Sequence, residues 1–167
     1  MNLTLAKSLD AISAWLDQTP LSQAIQATDW IVPAVQTVHI LAIATVAGSA
    51  LMIDLRLIGV LGADQALKDV SSRFLPFVWW PLLILLATGA ILVVGEPPRS
   101  LKNPVFQLKM TLLVAAIVVT GLLQLLLQRD PAFGGSGRRR AAVTIAVLSM
   151  LLWSGIIFAG RWIAYYS

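Results

Sequence analysis

Residues 30–53 form an apolar run without a charged side chain, and this run limits the fold more than any other feature of the chain. An α-helix rises 1.5 Å per residue, so about 20 residues cross the roughly 30 Å hydrocarbon core of a bilayer. Three further runs that are mainly apolar follow at residues 74–94, 105–128 and 141–164. The pattern predicts four transmembrane helices.

The composition supports a membrane protein. The chain is 58% hydrophobic and only 12% charged, whereas about 25% charged residues is usual in soluble domains. The basic residues behind the net charge of +4 lie largely between the apolar runs, which favours contact with lipid headgroups over nucleic acid. The absence of cysteine excludes disulfides, thiolate metal sites and iron–sulfur clusters. We therefore expect one all-α domain, residues 1–167, folded as an integral membrane bundle in contact with the bilayer.

The N-terminal segment, residues 3–18, has the pattern of an amphipathic helix. Apolar residues at helical spacing oppose charged ones: Leu5, Leu9, Ile12, Trp15 and Leu16 against Lys7, Asp10 and Asp17. This segment is too polar to span, so we expect an interfacial helix or one that packs over the mouth of the bundle. Because the first apolar run begins only at residue 30, we expect no cleavable signal peptide.

The distribution of basic residues predicts the orientation. More of the 12 Lys and Arg residues lie in the predicted loops 54–73 and 128–140 than at the opposite end of the spans. The positive-inside rule therefore places these two loops in the cytoplasm and both termini on the outer side.

His39 is the only histidine, and it lies inside the charge-free run. It follows Trp30 by about 13 Å along the helix axis, which places it in the outer half of the membrane. Ionisable residues inside the membrane are costly unless they face a protein interior, a cavity or a cofactor. His39 is therefore a hydrogen-bonded packing residue, an axial haem ligand, a copper ligand or a proton relay. Gln36, one turn earlier, could hold one imidazole nitrogen while the other binds a ligand.

Haem ligation by two histidines of one chain is impossible here, because the chain has only one. Two arrangements remain. In the first, a methionine supplies the sixth ligand of the iron. Met110 and Met150 lie at suitable depths for this role. Methionine more often fills gaps in apolar packing. Alternatively, a symmetric homodimer holds one haem between two copies of His39.

Three further residues complete the candidate site. Lys109 and Arg161 lie in the third and fourth spans, at the end nearer His39. Basic residues at span ends usually reach toward headgroups, but these two could also bind haem propionates or a quinone headgroup. Trp153 lies in the middle of the fourth span, where it either packs in the core or flanks a bound ring.

The far end of the first span carries Asp54 and Arg56. Two residues apart on a helix, they point in different directions and do not pair with each other. We expect a structural role for them, with Arg73 or Arg129 as the partner of Asp54.

Short connections favour up-and-down packing of the four spans. Small residues four apart let transmembrane helices approach closely. We expect such contacts at the pairs Ala44/Gly48 and Gly155/Ala159.

Four short motifs carry a resemblance to a known group of proteins. They are DLRLIG at residues 54–59, a second span rich in Trp and Pro that reaches residues 88–89, NPVFQLKMTLL at 103–113 and GRWIAY at 160–165. The chain resembles a set of uncharacterised bacterial four-helix membrane proteins. More distantly, it is similar to the membrane domain of CopD-type copper-resistance proteins and to small haem b cytochromes. The resemblance implies the bacterial inner membrane, and His39 is the position to which a ligand role carries over.

These observations favour a membrane subunit that binds haem b or interacts with a quinone and serves electron transfer. In this hypothesis His39 is the axial ligand, and the protein is a homo-oligomer that meets a quinone or a redox partner protein. Two alternatives stay open: a non-redox scaffold or assembly subunit, and a transporter of copper or a small solute. No hydrolase or nucleotide-binding motif occurs, and whether the protein is an enzyme stays open.

Overall fold

The computed structural model describes residues 3–62, 64–130, 133 and 137–165, without the side chains of residues 3–7 and 164. All regular structure in these residues is helical, which confirms the predicted all-α fold. The helices are α1 (Leu3–Asp17), α2 (Pro20–Gln26), α3 (Ile31–Ile58), α4 (Leu67–Phe74), α5 (Pro76–Gly95), α6 (Pro97–Leu101), α7 (Pro104–Arg129) and α8 (Arg139–Trp162), followed by a 3-10 turn at Ile163–Tyr165. Part of the predicted loop 128–140, residues 131–132 and 134–136, lies outside the described residues.

The four long helices are the four predicted spans. Helices α3, α5, α7 and α8 each contain an apolar window with a mean hydropathy between 1.9 and 2.4, and each is long enough to cross a bilayer. At most a third of each window is buried inside the protein, so the spans leave a large apolar surface available for contact with a bilayer. The chain is therefore a multi-pass membrane protein.

Helix α3 occupies the centre of the packing. It packs against α5 on one side and α8 on the other, and α7 packs against α8. The core between these helices includes Val46, Val78 and Trp153. Because four spans alternate in direction, the starts of α3 and α7 lie at one end of the bundle with the ends of α5 and α8. We call this end the terminal end and the other the loop end.

Small residues bring α7 and α8 together, as predicted. A Cβ atom at Gly155 would lie 3.3 Å from Leu112 Cδ1, so glycine allows the close approach, and Ala159 is buried. The predicted contact at Ala44 and Gly48 is wrong within the chain. Both residues are exposed, and no described atom lies within 4 Å of a Cβ built at Gly48.

The DLRLIG motif ends α3. Gly59 has a φ of 87°, a left-handed conformation that glycine adopts without a Cβ clash, and its N–H bonds to the carbonyls of Leu55 and Arg56. Arg139 of α8 donates to the Ile58 carbonyl at 3.2 Å. The motif therefore terminates the span and anchors it to α8.

Helix α1 confirms the predicted N-terminal helix. It packs against α6 at the terminal end, where Lys102 forms a 3.0 Å ion pair with Asp10. The packed face differs from the predicted one: Ser13 is fully buried, whereas Ile12 and Trp15 are exposed. These two apolar side chains are free to contact the membrane interface, which stays a prediction. The short helices α4 and α6 were not predicted.

Candidate functional site

His39 contacts a residue that the sequence does not single out. Its Nδ1 atom lies 2.7 Å from the hydroxyl oxygen of Thr88, a buried residue of α5. Gln36, the predicted partner of the imidazole, is exposed on α3. The Thr-Gly pair at residues 88–89 belongs to the motifs in the second span, but nothing in its spacing indicates a contact with His39.

The hydrogen bonds of Thr88 determine which nitrogen of His39 carries the proton. The Thr88 hydroxyl oxygen lies 2.7 Å from the Ile84 carbonyl oxygen, one turn earlier on α5. A carbonyl oxygen only accepts, so the single hydroxyl hydrogen of Thr88 is donated to Ile84. The bond between Thr88 and His39 then requires a hydrogen on Nδ1. Neutral His39 therefore carries its proton on Nδ1 and has a lone pair on Nε2.

The Nε2 atom of His39 is unpaired and accessible. No hydrogen bond to it is formed among the described residues, and it is not one of the fully buried polar atoms that lack partners. The side chain is half-buried, with the Nδ1 edge held against α5. Histidine metal ligands characteristically have this arrangement, in which one nitrogen donates to a protein acceptor and the other is left for the metal.

Two residues shape the surroundings of the imidazole. A Cβ atom at Gly89 would lie 3.6 Å from His39 Cε1, an ordinary van der Waals distance, so Gly89 of α5 lies beside the edge of the ring. Lys109 of α7 is close enough to act electrostatically on His39. Its Nζ atom would lie 3.7 Å from a Cβ at Gly160, which places the ammonium group against α8. Helices α3, α5 and α7 therefore bring an imidazole and a cation together at the terminal end.

Arg161 lies at the same end, but its contact in the structure is with Tyr165. The guanidinium donates to the Tyr165 hydroxyl at 3.2 Å and lies 5.5 Å from the centre of its ring. Met110 follows Lys109 on α7 and is 38% exposed. Its side chain is thus only partly covered by the rest of the protein.

The other predicted residues lie deeper in the bundle. Met150 and Trp153 line a cavity between α3 and α8 together with Asp54. Asp54 follows His39 by 15 positions on α3, which is about 22 Å along the axis. At the other end of the cavity, Ala47 follows His39 by eight positions, about 12 Å, so the cavity that Met150 and Trp153 line does not include His39.

Asp54 is a functional candidate, although the sequence predicts a structural role for it. It is 2% exposed, and none of the ion pairs among the described residues involves it, so the predicted pairing with Arg73 or Arg129 is wrong. Ser149 of α8 hydrogen-bonds to the carboxyl group, but the Oδ2 atom has no hydrogen-bond partner in the described part of the chain. Burial of an ionisable group that has an unpaired atom lowers the stability of the fold. Stability alone therefore does not account for an aspartate at this position.

With this geometry in view, comparison with known proteins decides the family. A model described as a family of unknown function, DUF6644, matches residues 23–166. The chain belongs to this family. The matched region contains all four spans and, within them, His39, Asp54, Thr88 and Lys109. Helix α1 precedes the matched region. No curated protein and no solved structure matches the chain.

Proposed function

We propose that the protein is a membrane electron-transfer subunit in which His39 is an axial ligand of haem b. The observation that carries this proposal is the hydrogen-bonding state of the imidazole. Nδ1 donates to Thr88, whose own hydrogen is committed to Ile84, and Nε2 is unpaired. This arrangement fixes the ring and directs a lone pair to a ligand.

Haem suits a chain with a single histidine and no cysteine better than a bare metal ion does. A copper or zinc ion needs several protein ligands, whereas a porphyrin supplies four nitrogens of its own. One imidazole per chain is then sufficient for one axial position. Bound haem supplies one-electron exchange between ferric and ferrous iron.

A homodimer supplies the second axial ligand in this proposal. A two-fold axis brings the same residue of two chains together, so two copies of His39 flank one iron. The methionine alternative has less support. Met150 lines a cavity whose first residue on α3, Ala47, is about 12 Å along the axis from His39, and Met110 is 38% exposed.

The surroundings of His39 fit a ring system with acidic substituents. The Nε2 atom of the imidazole is unpaired, Gly89 lies beside the ring edge, and Lys109 supplies a positive charge that acts on His39. We assign the haem propionates to Lys109, with Arg161 as a second cation once it leaves Tyr165.

Titration of the purified protein with haem tests the proposal. In detergent, the wild-type protein is expected to bind haem with saturation at one haem for two chains, and to show a reduced α-band after dithionite. His39→Gln is the decisive variant, because its amide can keep the contact with Thr88 but does not ligate haem iron. We expect no α-band from this variant, at an unchanged elution volume.

Two results would contradict the haem proposal. One is a folded wild-type protein that remains colourless at saturating haem, which favours the non-redox scaffold. The other is an identical spectrum from His39→Gln, which would assign the ligand to another residue. Saturation at one haem per chain would contradict the shared site but retain the role of His39.

A further inference from the structure

Asp54 is an enclosed carboxyl group near the loop end of α3. It lies four positions before Ile58, the last residue of the helix, which is about 6 Å along the axis. Asp54 is 2% exposed, and its Oδ2 atom is fully buried without a hydrogen-bond partner in the described part of the chain. The hydroxyl group of Ser149 on α8 bonds to the carboxyl group. Helix packing therefore shields Asp54 from water and leaves one of its oxygen atoms unpaired.

No charged side chain of the described residues forms an ion pair with Asp54. Helices α4, α5 and α8 pack against α3, and α5 carries no charged residue. Arg56 and Arg139 donate to the backbone carbonyls of Gln65 and Ile58. The other described charged side chains at this end are exposed or paired with each other: Lys68, Asp69, Arg73, Arg129 and Arg140 are exposed, and Arg138 pairs with Asp130.

These surroundings favour the protonated form of Asp54. An ionised carboxylate is a pure acceptor, and both of its oxygen atoms need donors. A buried charge without a counterion costs far more free energy than a buried neutral group, so a group in such a position binds a proton instead. Ionisable residues within membrane spans are rare, and proton transfer is one of the functions that they serve.

Trp153 supplies a hydrogen-bond donor on the facing helix. Its Nε1 atom is also fully buried and has no partner in the described part of the chain, whereas Trp79 Nε1 donates to Gln124 at 2.9 Å. Trp153 follows Ser149 by four positions on α8, and aromatic side chains on a helix lean toward its N-terminus. The indole therefore lies over the turn that bonds to Asp54. An indole N–H only donates, so it is complementary to an ionised carboxylate.

We propose that Asp54 is a proton-binding site and that Trp153 responds to its ionisation. In the protonated state, Asp54 Oδ2 and Trp153 Nε1 are unpaired, as they are in the structure. When the proton leaves to water at the loop end, Oδ2 becomes a charged acceptor and the indole turns to donate its N–H to it. Both residues line the cavity of about 290 Å³ between α3 and α8, which gives the indole room to move. The packing of α8 on α3 thereby depends on one proton.

Infrared spectroscopy of the purified, haem-free protein tests the proton on Asp54. The C=O band of a protonated carboxyl group is expected at neutral pH, at which solvent-exposed carboxyl groups are ionised. Asp54→Asn and Asp54→Leu both remove the carboxyl group, so both should lack this band. Asp69→Asn, at an exposed position of α4, is the matched control and should retain it.

The indole signals of ¹⁵N-labelled tryptophan test the response of Trp153. The chain has six tryptophans, and Trp153→Phe identifies the signal of Trp153. We expect this signal to shift downfield as the pH is raised, in step with loss of the C=O band, because the N–H then bonds to a carboxylate. The signal of Trp79, identified with Trp79→Phe, should not move, because Gln124 already accepts its N–H. Asp54→Asn should abolish the shift of Trp153.

Three outcomes would overturn the proton site and its link to Trp153. The first is the absence, at neutral pH, of a C=O band that depends on Asp54. The second is a Trp153 signal that stays fixed over the pH range in which the protein is folded. The third is an equal shift in Asp54→Asn, or loss of the shift in His39→Gln, either of which would assign the titration to another group. Neither measurement requires haem, so failure of this proposal is distinguishable from failure of the haem proposal.

Discussion

The Thr88 hydroxyl lies 2.7 Å from His39 Nδ1 and an equal distance from the carbonyl of Ile84 on its own helix. Both contacts are satisfied only when Nδ1 carries the hydrogen, because Thr88 has one hydrogen to donate. A threonine on α5 thereby determines the tautomer of a histidine on α3. The functional proposal depends on this relationship.

Removal of the Thr88 hydroxyl is expected to weaken haem binding. In Thr88→Val the Nδ1–H loses its acceptor and the ring loses its fixed orientation. Loss of such a partner typically lowers metal affinity about 10-fold to 100-fold, and we expect the same range in a haem titration. Thr45→Val is the matched control, because the Thr45 hydroxyl donates to the Leu41 carbonyl of its own helix and the residue is exposed. Equal affinities for the two variants would contradict the role of Thr88.

Lys109 is expected to discriminate between haem and its dimethyl ester, which lacks both carboxylates. Lys109→Gln removes the cation that acts on His39. A charge-assisted hydrogen bond contributes about 1.5 kcal/mol or more, so we expect at least a tenfold loss of affinity for haem. Affinity for the ester should not change. An equal loss for both ligands would show that Lys109 affects packing rather than the propionates.

Replacement of Asp54 by an apolar residue is expected to stabilise the ligand-free protein. Asp54→Leu removes a buried carboxyl group whose Oδ2 has no hydrogen-bond partner in the described part of the chain, at a position that lines the cavity between α3 and α8. We expect a gain of about 1 kcal/mol in the free energy of unfolding, or roughly 2–4 °C in Tm, by thermal unfolding in detergent. Asp69→Leu, at an exposed position of α4, should give no gain. A lower Tm for Asp54→Leu would indicate that the carboxyl group stabilises the bundle.

The predicted orientation is open to a direct labelling test, because the chain has no cysteine. Gln18→Cys lies at the terminal end and Gln65→Cys at the loop end, and both positions are exposed. A membrane-impermeant maleimide is expected to label Gln18→Cys in intact cells. Labelling of Gln65→Cys should require lysis. The reverse pattern would place the termini in the cytoplasm.

The four spans were predictable from the sequence, because crossing a bilayer requires a long apolar run whatever the neighbouring helices are. The start of α7 at Pro104 and the end of α3 at Gly59 follow from local rules for proline and glycine. The end of the bundle at which His39 and Lys109 lie was also predictable, from their distances to the span ends.

Contacts between distant helices were not predictable in the same way. Thr88 is 49 positions from His39, and its contact depends on the rotation of α5 about its axis. A polar residue such as Gln36 on the same helix is the partner that local spacing suggests. The two unpaired atoms of Asp54 and Trp153 likewise come together only when α3 packs on α8. Periodicity indicates which side chains share one face of a helix, but it does not indicate which faces of two helices pack against each other.

Selective labelling of histidine with ¹⁵N tests the central claim most directly, because His39 is the only histidine and gives the only ring signals. For the haem-free protein in detergent, we expect a protonated, pyrrole-type Nδ1 and a pyridine-type Nε2. Haem should then shift or broaden the Nε2 signal, and Thr88→Val should lose the tautomer preference. A protonated Nε2 in the wild-type protein would contradict the account, because the lone pair would then be directed at Thr88 and unavailable to iron.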